Sequence, residues 1–189
     1  MAMPPEIAIH TAAAIVQVIT HTPIWVWALL TALIWLGLSQ TRARTASLGR
    51  ITVMPVAMAG FSAWGTVSAF GASPMFGYVM LAWMFAAAVM LAVVAPLAIP
   101  HGTGYDVPAR TFSLPGSWAP MLLIMGIFLT KYAVGATLAL QPAMARDDLF
   151  ALSIGILYGL FSGIFAGRAA RLWRLAYLST PLDQPILAP

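Results

Sequence analysis

The sequence predicts an all-α fold, a polytopic transmembrane bundle of about five helices. Three observations carry that expectation. Hydrophobic residues make up 61% of the 189 residues and charged residues 7%, where a soluble domain carries about 25% charged residues. Mean hydropathy is +0.91. The apolar residues also fall into runs near the ~20 residues that cross a ~30 Å hydrocarbon core, separated by polar connections.

Residues 1–22 form an outer-side N-terminal segment. Its apolar part, Ile7 to Ile19, is expected to pack beside the first span or lie in the interface. Met1 to His10 has no basic leader, which argues against a cleaved signal peptide. The first span is read at 23–38, opened by Thr22 as a helix cap and Pro23 at the first helical position. The others are read at 51–70, 76–99, 118–140 and 150–166, giving a membrane bundle over 23–176. Trp25, Trp27 and Trp118 stand near span ends, where amphipathic rings favour the headgroup level.

The connections Gly71 to Met75 and Gln141 to Leu149 are short. In the second, Asp147 and Asp148 suit the N-terminus of the last span, because acidic side chains complement the positive end of a helix dipole. The longer connection, Pro100 to Gly116, is rich in Gly and Pro, and Thr111-Phe112-Ser113-Leu114 alternates as a short strand does. A Pro-rich tail over 177–189 is expected to be disordered on the cytoplasmic side.

Charge placement orients the chain. Arg42, Arg44 and Arg50 follow the first span, Arg110 lies between the third and fourth, and Arg168, Arg171 and Arg174 follow the fifth. All seven fall on one side; Arg146 is opposite, beside Asp147 and Asp148. The positive-inside rule then places the N-terminus outside and the C-terminus in the cytoplasm. Arg168, Arg171 and Arg174 recur at i+3 and so share one helix face at the membrane surface, suited to headgroups.

Two features stand out chemically. Lys131 is a lone charge within the fourth span, about eight residues or roughly 12–13 Å from its outer end. Such a charge costs about 2.5–3.5 kcal/mol on insertion scales, so it either snorkels outward or faces protein and water. Thr130, Tyr132 and Tyr78 are its candidate polar neighbours. The second feature is Gly155, Gly159, Gly163 and Gly167, at successive i+4 steps along the fifth span. Small residues at this spacing let another helix approach closely, either from the same chain or from a second copy.

Much chemistry is excluded. No cysteine is present, so disulfides, thiolate metal sites and thiol redox chemistry fall away. His10, His21 and His101 do not converge by spacing, so neither a metal nor a cofactor is expected. No hydrolase, zincin, P-loop or dinucleotide motif occurs, so no enzyme is expected.

The segments His21-Thr22-Pro23-x-Trp25-Val26, Gly37-Leu38-x-Gln40 and Arg42-x-Arg44 resemble the first span and basic loop of a family of small bacterial membrane proteins of unknown function. Leu114-Pro115-Gly116-Ser117-Trp118-x-Pro120, running into Ile127-Phe128-x-x-Lys131-Tyr132-x-x-Gly135, is similar to that family's second half. The resemblance covers His21 to Arg174 and implies no activity, but it places Lys131 inside a motif. The span arrangement is also loosely similar to CcdC-like membrane proteins.

The sequence therefore points to a multi-pass protein of the bacterial inner membrane, an accessory or assembly component packing through the glycine-striped helix. The alternative is a small-solute or ion transporter or sensor, acting as an oligomer, with Lys131 as its intramembrane charge. Expected partners are the lipid bilayer and a second copy or another membrane protein, not nucleic acid.

Overall fold

The structure, a computed structural model, describes Thr20 and residues 22–179. Among the described residues, five α-helices with stated bounds run in order: α1 (Ile24–Ser39), α2 (Leu48–Phe70), α3 (Phe76–Val94), α4 (Ala119–Leu140) and α5 (Asp148–Ser179). Four of them, α2 to α5, are long and apolar enough to cross a membrane, while α1 is a shorter apolar helix of 16 residues. The interfacial segment expected over Ile7 to Ile19 lies outside the described residues, as does the tail from 180 onward.

Helix boundaries follow local chemistry. At α1, Pro23 occupies the N-cap position and not the first helical one. Thr22 does not cap the helix; its hydroxyl meets that of Tyr132. Helix α2 starts at Leu48, three residues before the expected boundary at Ile51, because Ser47 Oγ accepts from Arg50 N at 3.4 Å. Arg50 thus belongs to the first turn of α2. Helix α3 ends at Val94 rather than Ile99, since Pro96 has no N–H to extend the ladder. Between α4 and α5, Pro142–Arg146 forms a 3-10 turn.

Asp147 Oδ1 then accepts from Phe150 N at 2.7 Å, the cap expected for the last helix. Asp147→Ala is predicted to cost about 1 kcal/mol of stability. A lowered midpoint of thermal unfolding in detergent checks this. Helix α5 continues well past Ala166 to Ser179, so residues 177–179 are helical and not part of a tail.

The alternating segment Thr111–Leu114 is a strand, as its pattern predicts, and it is the centre of a small sheet that the sequence did not reveal. Strand β1 (Arg44–Ser47) and strand β2 (Gly104–Asp106) flank β3 (Thr111–Leu114), antiparallel on both sides. Arg110, with φ 51°, makes the left-handed turn into β3. The sheet rests on the end of α5, where Ala46, Ile51, Phe112 and Ala176 form a buried cluster. It therefore ties the α1–α2 and α3–α4 connections to one end of the bundle, the end that carries the seven arginines.

Helix α5 is the most buried of the four long helices. It packs chiefly on α3 and then on α2, while α1 lies against α4. Elsewhere the helices turn large apolar side chains outward, among them Trp35, Phe85 and Leu122, as expected where the solvent is hydrocarbon.

Candidate functional site

Helices α1 and α4 run antiparallel and are pinned at both ends. Near the basic end Gly37 is buried against Met121, where an added Cβ would collide with Sδ. Near the other end the hydroxyls of Thr22 and Tyr132 share a 2.6 Å hydrogen bond. Between these pins α1 stands off, and a cleft of about 760 Å³ opens between α1, α2 and α4. Leu29 and Leu33 wall it on one side, Met58 and Trp64 on another, Ile127 on the third. Among the described residues that line it, Lys131 alone is charged.

Lys131 does not snorkel outward. Its amine turns into the bundle, 4.5 Å from the centroid of the Tyr158 ring and 3.5 Å from the Phe61 carbonyl oxygen. Gly65 makes the room, since a Cβ there would collide with Nζ. Behind it a polar seam crosses three helices: Trp83 Nε1 donates to Ser62 Oγ at 3.0 Å, and Ser62 and Ser162 both donate to the Tyr158 carbonyl, at 3.3 and 2.9 Å.

Magnitudes decide what this seating achieves. A desolvated cation–π contact is worth about 2 kcal/mol, and a 3.5 Å hydrogen bond lies at the weak limit. An intramembrane ammonium costs about 2.5–3.5 kcal/mol. The observed contacts offset much of that cost but occupy few of the three donors an ammonium carries. Lys131 also lines the cleft.

Of the expected neighbours, Tyr132 lines the same cleft and stacks on Phe128, with ring centroids 6.2 Å apart. Thr130 and Tyr78 are not brought to Lys131. The Thr130 hydroxyl donates to the Gly126 carbonyl of its own helix at 2.7 Å, and Tyr78 is an exposed residue of the first turn of α3. Tyr158, Ser62 and Gly65 escaped sequence reasoning. Tyr158 stands one residue before Gly159, so the glycine spacing was the signal that led nearest to it.

The glycine stripe packs within the chain. An added Cβ at Gly155 would meet Val79 Cγ1 at 2.8 Å, one at Gly159 the Trp83 carbonyl, one at Gly163 the Ala87 carbonyl, and one at Gly167 Val94 Cβ at 2.7 Å. All four glycines are buried against α3. The face expected as a possible seam between two copies is therefore already filled by a helix of the same chain.

The arginines do not behave as one headgroup-facing stripe. The unwound stretch after Val94 exposes carbonyls, and Arg171 donates to that of Ala98 at 3.1 Å and Arg174 to that of Leu97 at 3.3 Å. Arg44 donates to Gln40 Oε1 at 2.8 Å. Burial first, and then the nearby Arg50, pull the Arg44 guanidinium below its ordinary value. Arg44, Arg50, Arg168 and Arg171, together with His101, line a second cavity of about 350 Å³, whereas Arg42, Arg110 and Arg174 lie outside it. His10 and His21 fall outside the described residues.

A bundle of long apolar helices, with a single amine turned inward and seven of its eight arginines gathered at one end, is a multi-pass membrane protein. The chain belongs to DUF6622, a family of unknown function, which it matches over residues 4–183. No curated protein and no solved structure matches it. The likeness to CcdC-like proteins has no counterpart in these comparisons.

Proposed function

We propose that this protein binds an anionic, long-chain amphiphile within the membrane, the chain lying in the cleft between α1, α2 and α4 and its polar end meeting Lys131. The observation that carries the proposal is the cleft itself: about 760 Å³, walled by apolar side chains, with one amine in its wall. Apolar walls argue against an ion pathway, which needs polar groups along its length. They suit an acyl chain, and the amine supplies the few convergent polar contacts that fix a ligand's orientation. The assembly reading through the glycine stripe is set aside because α3 occupies that face.

With α1 counted as a fifth span, the positive-inside rule places the arginine-rich end in the cytoplasm and the start of α1 outside. The inner membrane of a bacterium is the setting we propose. The role is that of a carrier or accessory factor and not an enzyme. It works with lipid and with a second copy or another membrane protein, and without nucleic acid.

Gly135 supplies the test, since it lines the cleft and a Cβ there meets nothing within 4 Å. Gly135→Trp should obstruct the cleft without harming the fold. Binding of pyrene-labelled hexadecanoic acid to the purified protein should fall about tenfold or more, equivalent to 1.4 kcal/mol. Lys131→Met should weaken the acid but leave pyrene-labelled hexadecanol unaffected. Equal affinity of wild type and Gly135→Trp for the acid removes the cleft as its site.

A further inference from the structure

The second cavity lies at the basic end, between the α1–α2 turn, β1, the stretch after α3 and the last turns of α5. Four arginines line it and no carboxylate does. Like charges repel unless something of opposite sign lies between them, and at close quarters the cost is of the same order as an attractive pair's gain. Within the described lining, nothing of opposite sign is present.

The buried donors sharpen this. Gln40 is 3% exposed. Its Oε1 accepts from Arg44, which fixes the amide's orientation and directs Nε2 elsewhere. That Nε2 has no hydrogen-bond partner. Arg171 Nε and Thr103 Oγ1 are likewise buried without a partner, and all three residues line this same cavity. Buried polar atoms are satisfied in the great majority of cases, so three orphans among the residues of one cavity mark a wall short of acceptors. They come from separate elements: the end of α1, α5, and the segment before β2.

We propose that this cavity is a binding site for a phosphate group carried on a larger molecule. A tetrahedral oxyanion offers acceptor oxygens in several directions and negative charge to four guanidiniums, the geometry for which arginine forks are suited. A volume of about 350 Å³ exceeds what bare phosphate fills, which favours an organic phosphate. The group's source is either a lipid headgroup or a soluble phosphate ester. Met54 lines both this cavity and the apolar cleft, so a lipid phosphate here has a neighbouring place for its chain. The site stands on its own residues and does not depend on how the cleft is used.

The test is thermal unfolding of the detergent-solubilised full chain with three probes: dioctanoyl phosphatidate, glycerol 3-phosphate and inorganic phosphate. Ligands that bind only the folded state raise its midpoint. Wild type should be stabilised by at least one phosphate ester, phosphatidate alone indicating a headgroup site and glycerol 3-phosphate as well indicating a soluble one. Arg168→Gln and Gln40→Leu should each require about tenfold more ligand for the same shift. Arg42→Gln and Arg110→Gln remove equal charge outside the cavity and should leave the response intact. Gln40→Leu keeps every charge, so it also separates a built site from general basicity. Absence of any shift in wild type overturns the proposal. So does equal loss in the Arg42 or Arg110 variants, which would reduce the effect to surface charge.

Discussion

Leucine at Gly159 or Gly163 is expected to destabilise the folded bundle severely. At both positions the first atom of a new side chain lands on a backbone carbonyl of α3, that of Trp83 or of Ala87, and at Gly163 it also comes within 2.7 Å of Met90 Cβ. Backbone cannot rotate aside as a side chain can, so the helices must separate. In lipid this loss is severe, because close packing and not the hydrophobic effect holds one apolar helix to another. Overpacking by extra carbons costs about 1–3 kcal/mol in a tight core; a full leucine driven against backbone on a helix seam should exceed that and consume much of a typical 5–15 kcal/mol stability. Gly155 should be milder, since its nearest atom is the Val79 Cγ1 methyl and the Val79 carbonyl lies farther off at 3.1 Å. Gly60→Leu is the control, with nothing within 4 Å of its Cβ. The check is the heated-sample elution profile in detergent. A Gly163→Leu protein that survives heating as Gly60→Leu does would contradict the α3–α5 seam.

The same glycines show how far the sequence was legible. An i+4 stripe on a span means close approach, and close approach is what the structure contains; periodicity says nothing of which helix approaches. Hydropathy located the long helices because lipid imposes one rule on every residue of a span. It misjudged their ends at Ile51 and Ile99, where a serine cap and a proline decide the boundary. Lys131 was visible as an anomaly, but its seat was not, since Gly65, Phe61 and Tyr158 come from two other helices. The sheet was half visible. Four alternating residues at Thr111 to Leu114 read as a strand, whereas Arg44–Ser47 pairs with them only through contacts distant in sequence. That pairing places Arg44, while packing of α2 on α5 brings Arg50 beside Arg168 and Arg171, so basic residues that count as orientation signals in the sequence become a cavity wall in three dimensions.

That dependence makes Phe112→Ala the second large effect. Phe112 is fully buried in β3, faces Ala46 across the β1 pairing, and lies with its ring centroid 4.6 Å from that of Tyr105 on β2. It is also the largest member of the buried cluster that joins the sheet to Ala176 of α5. Removing such a ring costs about 3–5 kcal/mol. The loss should be local, because the α3–α5 seam shares no residue with this cluster. Amide exchange should therefore accelerate across residues 44–47 and 104–114 and stay unchanged in the middle of α3 and α5. Phe112→Leu, which keeps most of the volume, should produce a much smaller change. Arg44 sits on β1 opposite Leu114, and Gln40 holds the Arg44 guanidinium. When β1 and β3 part, Arg44 loses its place in the basic cavity, and phosphate-ester stabilisation should weaken together with exchange protection. If protection of the strands persists in Phe112→Ala, or falls equally throughout the helices, the sheet is not a separate clamp that holds Arg44 in the cavity wall.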